Sequence, residues 1–185
     1  ARLAIVGWSY GGYAALQAAA TEPTLYKASV AIAPVTDLSL FRREAKPFTN
    51  AELTRDFVGT GAEADAGSPA RNAAAIKVPV LLIHGDNDSN VSVDHSRKMA
   101  GALKSAGSAP ELLVFKDLAH PLEDSPARRE MLTRIGELLA ALLAAVRLPG
   151  ARVLLAFIAT YKLGETNADT MFRPFLVDAG FSTAD

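Results

Sequence analysis

The chain has 185 residues and a mass of 19.5 kDa, room for one ordinary domain with a sizeable core. Half of the residues are apolar and 21% are charged, which excludes the weakly hydrophobic, highly charged composition of a disordered chain. Lysine plus arginine (19) against aspartate plus glutamate (20) leaves a net charge of −1, without the basic footprint that nucleic acid or an anionic membrane surface requires of a partner. There are no cysteines, so disulfides, thiolate zinc sites and iron–sulfur clusters are excluded; this usage fits a reducing compartment and favours the cytoplasm. The apolar stretches 138–146 and 153–161 are each about half of the roughly 20 residues a membrane-spanning helix needs, and Arg147 and Arg152 lie between them. The chain opens at Ala1 on a strand-like segment, without the charged n-region or apolar h-region of a signal peptide, and reads as a piece of a longer protein.

Residues 3–6 form a short apolar run, residues 7–12 are punctuated by glycine, and residues 13–20 are alanine-rich strong helix formers. The reading is strand, tight turn, helix. A second strand is expected at 28–33, stopped by Pro34. Residues 38–67 mix charged residues, Pro47 and several glycines, and are expected to form a helical or loop excursion above the sheet rather than a linker. A third strand is expected at 78–83, closed by His84-Gly85, and a fourth at 112–115. Helical patterns are clearest at 92–106 and 126–146, the second with Ser125 as N-cap and Pro126 at its first position, where a missing N–H costs nothing. Leu148-Pro149-Gly150 would end it. No internal repeat is visible, and the tail holds one apolar run and Phe172-Arg173-Pro174-Phe175 without an assignable element. Short, nearly continuous apolar strands alternating with helices imply the α/β class, with a parallel sheet covered on both faces.

Gly7-Trp8-Ser9-Tyr10-Gly11 fits the pattern G-x-S-x-G directly after an expected strand and directly before an expected helix, the context that pattern demands. The turn must be sharp enough to lift the serine oxygen above the sheet edge, and glycines flank it because a Cβ there would collide. A serine hydroxyl needs a base, and the base needs a third group that fixes its tautomer. His84 ends an apolar strand and reads as structural, while His95 falls inside an expected helix beside Asp94. His120 follows the fourth strand after a short loop, at the carboxyl edge where sites of open α/β folds lie, and is the expected base. The loop after the third strand offers Asp86, Asp88 and Asp94 as the acid, and Asp88 is preferred because it lies on the loop itself. The order Ser9, Asp88, His120 is that of α/β-hydrolases rather than that of the chymotrypsin or subtilisin folds.

Gly7-Trp8-Ser9-Tyr10-Gly11-Gly12-Tyr13, the run Leu81-Leu82-Ile83-His84-Gly85 leading to Asp88, and Asn90-Val91 closely resemble the catalytic domain of the prolyl oligopeptidase family of serine peptidases. Dipeptidyl peptidases and acylaminoacyl peptidases are among the members it resembles. The resemblance includes Ser68-Pro69 and Lys77-Val78-Pro79-Val80 and runs from Ala1 to about Val146. It implies the C-terminal half of an α/β-hydrolase sheet over residues 1–147, with the family's earlier strands and β-propeller missing, followed by a tail, 148–185, of unknown role. It implies Ser9 as nucleophile, the Tyr10 backbone N–H as one oxyanion donor, Asp88 as orienting acid and His120 as general base. Tyr10 and Val91 would line the pocket for the residue before the scissile bond, Trp8 would belong to the same oxyanion and substrate-binding set, and Asn90 would hydrogen-bond a substrate carbonyl. The substrate expected is a peptide, and no metal or organic cofactor is implied. A second oxyanion donor would come from the segment ahead of the elbow, and loss of one such donor costs about 10² to 10³ in rate. An exposed edge strand would make the piece alone unstable or self-associating, for instance as a homo-oligomer. An esterase or other acyl hydrolase on the same fold, and a non-catalytic binding module, are the rival readings.

Overall fold

The four apolar runs become the four strands of one sheet in a computed structural model that describes residues 3–47 and 51–146. The elements follow as β1 (Leu3–Trp8), α1 (Tyr10–Thr21), β2 (Tyr26–Ile32), α2 (Leu38–Ala45), α3 (Ala51–Val58), α4 (Gly61–Ala66), a 3-10 turn (Ala73–Ala75), β3 (Val80–Gly85), α5 (Asp94–Ser105), β4 (Glu111–Phe115) and α6 (Ser125–Val146). The expected stop at Leu148-Pro149-Gly150 and the tail 148–185 lie outside the described residues. Among those residues no helix is long and apolar enough to cross a membrane.

Strand order is β1-β2-β3-β4 and every pairing is parallel. Each connection therefore steps the same way along the sheet, and right-handed crossovers place the connecting helices on one face. Strand alternation sorts the side chains accordingly. Ala31 and Leu82 meet Leu16 and Ala19 of α1 and Met99 and Leu103 of α5. Val30, Ile32, Leu81 and Ile83 point the other way, onto Leu122 and onto Ala127 and Met131 of α6. Truncating one of these, Leu82→Ala for example, would cost about 2 to 5 kcal/mol. The buried stripe of α1 is Gly12, Ala15, Leu16, Ala19 and Ala20, small enough for the helix to lie close on β2. Ser29 of β2 donates its hydroxyl to Ala15 O at 3.1 Å, inside that contact.

One local expectation needs correction. Ser125 is not the cap of α6 but its first residue, and Asp124 takes the cap by accepting the Ala127 N–H on Oδ2 at 2.8 Å. A carboxylate suits this place because it also faces the positive end of the helix dipole. The excursion between β2 and β3 holds three short helices, of which α2 is capped by Asp37, whose Oδ1 accepts the Leu40 N–H at 2.7 Å. Arg42 of α2 donates to Gly59 O at 3.0 Å and ties α2 to the end of α3.

Candidate active site

Between the end of β1 at Trp8 and the start of α1 at Tyr10 a single residue turns the chain, and Ser9 does so at φ 56 and ψ −118. A side chain held in so sparsely populated a region costs on the order of 1–3 kcal/mol, which the surroundings must supply. Ser9 N–H donates to Ile32 O at 2.7 Å, and Tyr13 N–H donates to Ser9 O at 3.0 Å. A Cβ on Gly7 would overlap Gly11 O, so glycine is obligatory before the serine. Gly11 differs from the expectation: a Cβ there meets nothing within 4 Å, because it is the backbone at Gly11 that crowds Gly7. Serine at a helix N-cap ordinarily spends its hydroxyl on a first-turn N–H. At that ψ no side-chain cap bond forms, and Oγ makes no hydrogen bond among the described residues. Tyr10 opens α1, so its N–H has no partner inside the helix and points where the positive end of the dipole lies.

Asp88 and His120 arrive from the two neighbouring loops beyond β3 and β4. A Cβ on Gly85 would overlap Leu118 O, so the end of β3 runs directly against the loop that carries the histidine. Asp117 N–H donates to Asp86 Oδ1 at 2.6 Å, and Asn87 N–H donates to Leu118 O at 3.1 Å. The two loops are thereby sewn together, and His120 Nδ1 stands 2.6 Å from Asp88 Oδ2. The other oxygen, Oδ1, accepts the N–H groups of Asn90 and Val91, both at 2.9 Å. Burial by itself would raise the Asp88 pKa, but hydrogen bonds from His120, His84 and the Val91 N–H outweigh it and hold the carboxyl well below the usual range. Asp88 is therefore a carboxylate, Nδ1 of His120 carries a proton toward it, and Nε2 is left as the basic nitrogen.

Ser9 and His120 open onto one cavity of about 260 Å³. Its apolar walls are Tyr10 and Tyr13 of α1, Val35, Leu38 and Phe41 of α2, Phe57 and Val58 of α3, and Val91, and Asn90 adds a polar group. Tyr10 stacks on Tyr13 with ring centroids 5.4 Å apart. No hydrogen bond joins Ser9 Oγ to His120 among the described residues, although both line the same space. The expected site residues Ser9, Tyr10, Asn90, Val91 and His120 thus surround one space, with Asp88 behind His120. Trp8 does not join them. Its side chain packs with Val30, Ile32 and Met131 on the α6 face of the sheet, because successive strand residues point to opposite faces, and its Nε1 donates to His120 O at 3.3 Å. Trp8 steadies the histidine loop rather than lining the substrate space.

His84 and His95, set aside in the sequence, are both fully buried. His95 Nδ1 accepts the Thr36 N–H at 3.0 Å and so anchors the start of α2, the wall of the cavity. Burial pushes its pKa down to about 4, so it is neutral at pH 7. Asp37 would be raised by burial, but bonds from Lys98 and the Leu40 N–H, with the charges of Lys98 and Arg71, keep it low. His84, read from the sequence as structural, contacts Asp88 Oδ2 at 3.3 Å, a contact that sequence reading missed. Among the described residues no group of His, Asp and Glu is arranged to hold a metal ion.

The sequence model of the prolyl oligopeptidase family matches residues 1–145. Dipeptidyl peptidase 4 of Bos taurus is 28% identical over 145 residues, covering 75% of this chain and 18% of its own length. The crystal structure of Porphyromonas gingivalis dipeptidyl peptidase 4 superposes with a TM-score of 0.64 at 25% identity, covering 75% of this chain and 19% of that one. The acylaminoacyl peptidase of Pyrococcus horikoshii gives a TM-score of 0.61 at 25% identity, with 68% and 21% covered. The chain spans about a fifth of the length of these relatives. With a parallel sheet flanked by helices, a serine elbow between strand and helix, and a match over most of its length, this chain has the α/β-hydrolase fold and belongs to the prolyl oligopeptidase family.

Proposed function

We propose that the chain carries the catalytic residues of a serine peptidase and hydrolyses peptide bonds through an acyl-enzyme. The observation that carries this reading is the 2.6 Å bond between His120 and a buried carboxylate, opening on the same cavity as a serine whose hydroxyl makes no cap bond. Ser9 Oγ attacks the substrate carbonyl carbon while His120 Nε2 takes its proton. The Tyr10 N–H faces the oxygen that becomes negative, and the proton on His120 then passes to the departing amine. Water repeats the sequence on the acyl group and restores Ser9. Asp88 holds the tautomer and stabilises the imidazolium throughout. The apolar cavity would take the side chain before the scissile bond, and the Asn90 amide, which lines it, would meet a substrate carbonyl.

A fluorophosphonate probe tests the reading without knowledge of the substrate, because it reports an activated serine. The full-length chain is expected to be labelled at Ser9, and Ser9→Ala is expected to abolish labelling. A native protein that folds and stays unlabelled would overturn the peptidase reading and leave a hydrolase-like fold used for binding alone.

A further inference from the structure

His84 closes β3, points to the α5 side of the sheet and is fully buried. Its Nδ1 lies 2.7 Å from Ser96 Oγ of α5, and its Nε2 lies 2.9 Å from Val91 O. Those two partners satisfy the ring, and a histidine that served only to fill the end of a strand would need nothing more. The same Nε2 also stands 3.3 Å from Asp88 Oδ2, the oxygen that receives His120. Both groups facing Nε2 are acceptors, so Nε2 carries the proton and the Ser96 hydroxyl donates to Nδ1. The carboxylate of Asp88 is therefore bracketed by the backbone N–H groups of the loop on one oxygen and by two imidazoles on the other.

We infer that His84 is a positioning residue for the reaction: its Nε2–H, bonded at 2.9 Å to Val91 O and shared at 3.3 Å with Asp88 Oδ2, steadies that oxygen from behind and takes a share of its charge, and so sets how strongly Asp88 polarises His120. This rests on the reading of Ser9, Asp88 and His120 as a triad. Without the His84 donor, the charge on Oδ2 falls on His120 alone, the imidazolium is favoured, and the pH midpoint of Ser9 reactivity moves upward. Ser96 acts in the same direction at one remove, since a bond accepted at Nδ1 strengthens donation from Nε2. Asp88 from the loop and His95 from α5 are the titratable groups facing His84, and His95 stays neutral because burial holds it at about 4. Around His120 stand Asp88 from its loop, Ser9 and Tyr10 from the elbow, and Arg128 of α6, whose guanidinium is turned to the carbonyls of Pro121 and Leu122.

The test compares native, His84→Phe, His84→Gln and Ser96→Ala in the full-length chain. Two quantities are read, the pH dependence of fluorophosphonate labelling and the proton NMR shift of His120 Nδ1–H. Below the raised midpoint His84→Phe should slow labelling up to about tenfold, less than a full hydrogen bond to a charged group is worth because Nε2–H is shared with Val91 O, and should move both the midpoint and the resonance. His84→Gln keeps a donor and should recover most of the rate. Ser96→Ala should move both readouts the same way by less, and it carries the test if His84→Phe does not fold. Slower labelling with an unmoved midpoint and an unmoved resonance would overturn the inference and reduce His84 to a structural residue. A native chain without labelling whose His120 resonance still responds to His84 and Ser96 would sustain the inference about Asp88 while overturning the peptidase reading.

Discussion

The nucleophile and its acid–base partners stand on unlike supports. β1, which carries Ser9, pairs with β2 alone among the described residues, and none of its six residues is fully buried. β3, which leads to Asp88, pairs on both sides and all six of its residues are buried. Ser9 is held by backbone: a glycine that admits a close crossing, a strained turn, and bonds to Ile32 and Tyr13. Asp88 and His120 are held by a polar network around one carboxylate, which accepts the backbone N–H groups of Asn90 and Val91, is bonded to His120 and is approached by His84, with an indole on the histidine's carbonyl. The serine's position is thus a property of chain geometry, whereas the base's strength is a property of a polar network. Different substitutions should break each.

The largest effect should come from Asp88→Asn. An amide offers His120 the wrong hydrogen-bonding pattern, the tautomer reverses, and labelling at Ser9 should fall about 10⁴-fold, roughly 5 kcal/mol of barrier, in a protein that still unfolds cooperatively but at a lower temperature. Gly7→Ala acts on the other support. The added methyl overlaps Gly11 O, so the elbow must open, and thermal unfolding should show a loss of about 4 kcal/mol together with loss of labelling. A stable Gly7→Ala protein with native labelling would show that backbone crossing does not hold the serine.

Third comes pH. His95 titrates at about 4 in the folded chain against 6.5 for an exposed histidine, so between those values the unfolded chain binds the extra proton. Stability is then full above about pH 6.5 and falls as pH drops toward 4, by about 3 kcal/mol for this shift. His95→Gln, which keeps an acceptor for the Thr36 N–H, should flatten urea midpoints over that window. Asp88, with its lowered pKa, contributes stability that is lost only further down, as pH falls below the ordinary carboxylate value. The smallest effect is expected of Trp8→Phe, which removes the bond to His120 O and should cost about 1 kcal/mol and slow labelling modestly.

The strands, α1, α5 and α6 were legible because each is an apolar run or an amphipathic stripe bounded by glycine, proline or polar residues. The site was legible where local geometry dictates residue type: Ser9 because a tight strand-to-helix turn needs Gly7, and Asp88 and His120 because each follows a strand end. The network was not. Nothing in the spacing says that Trp8 turns away from the cavity and reaches a carbonyl 112 residues on, which follows from strand phase and from the loop after β4. The cap of α6 was misplaced because Asp124 and Ser125 are both good caps and backbone entry decides between them. The excursion was legible as helical or loop, but its three helices could not be bounded because each has only six or eight residues, too few for a periodic pattern.

The central claim is that the two supports deliver one working site, and the direct measurement is the rate of fluorophosphonate labelling at Ser9 in the full-length chain with His120→Gln beside the native protein. Labelling confined to Ser9 in the native chain and lost in His120→Gln is the result predicted. Labelling at Ser9 that proceeds equally well without His120 would contradict it, because the serine would then owe nothing to the network built around Asp88.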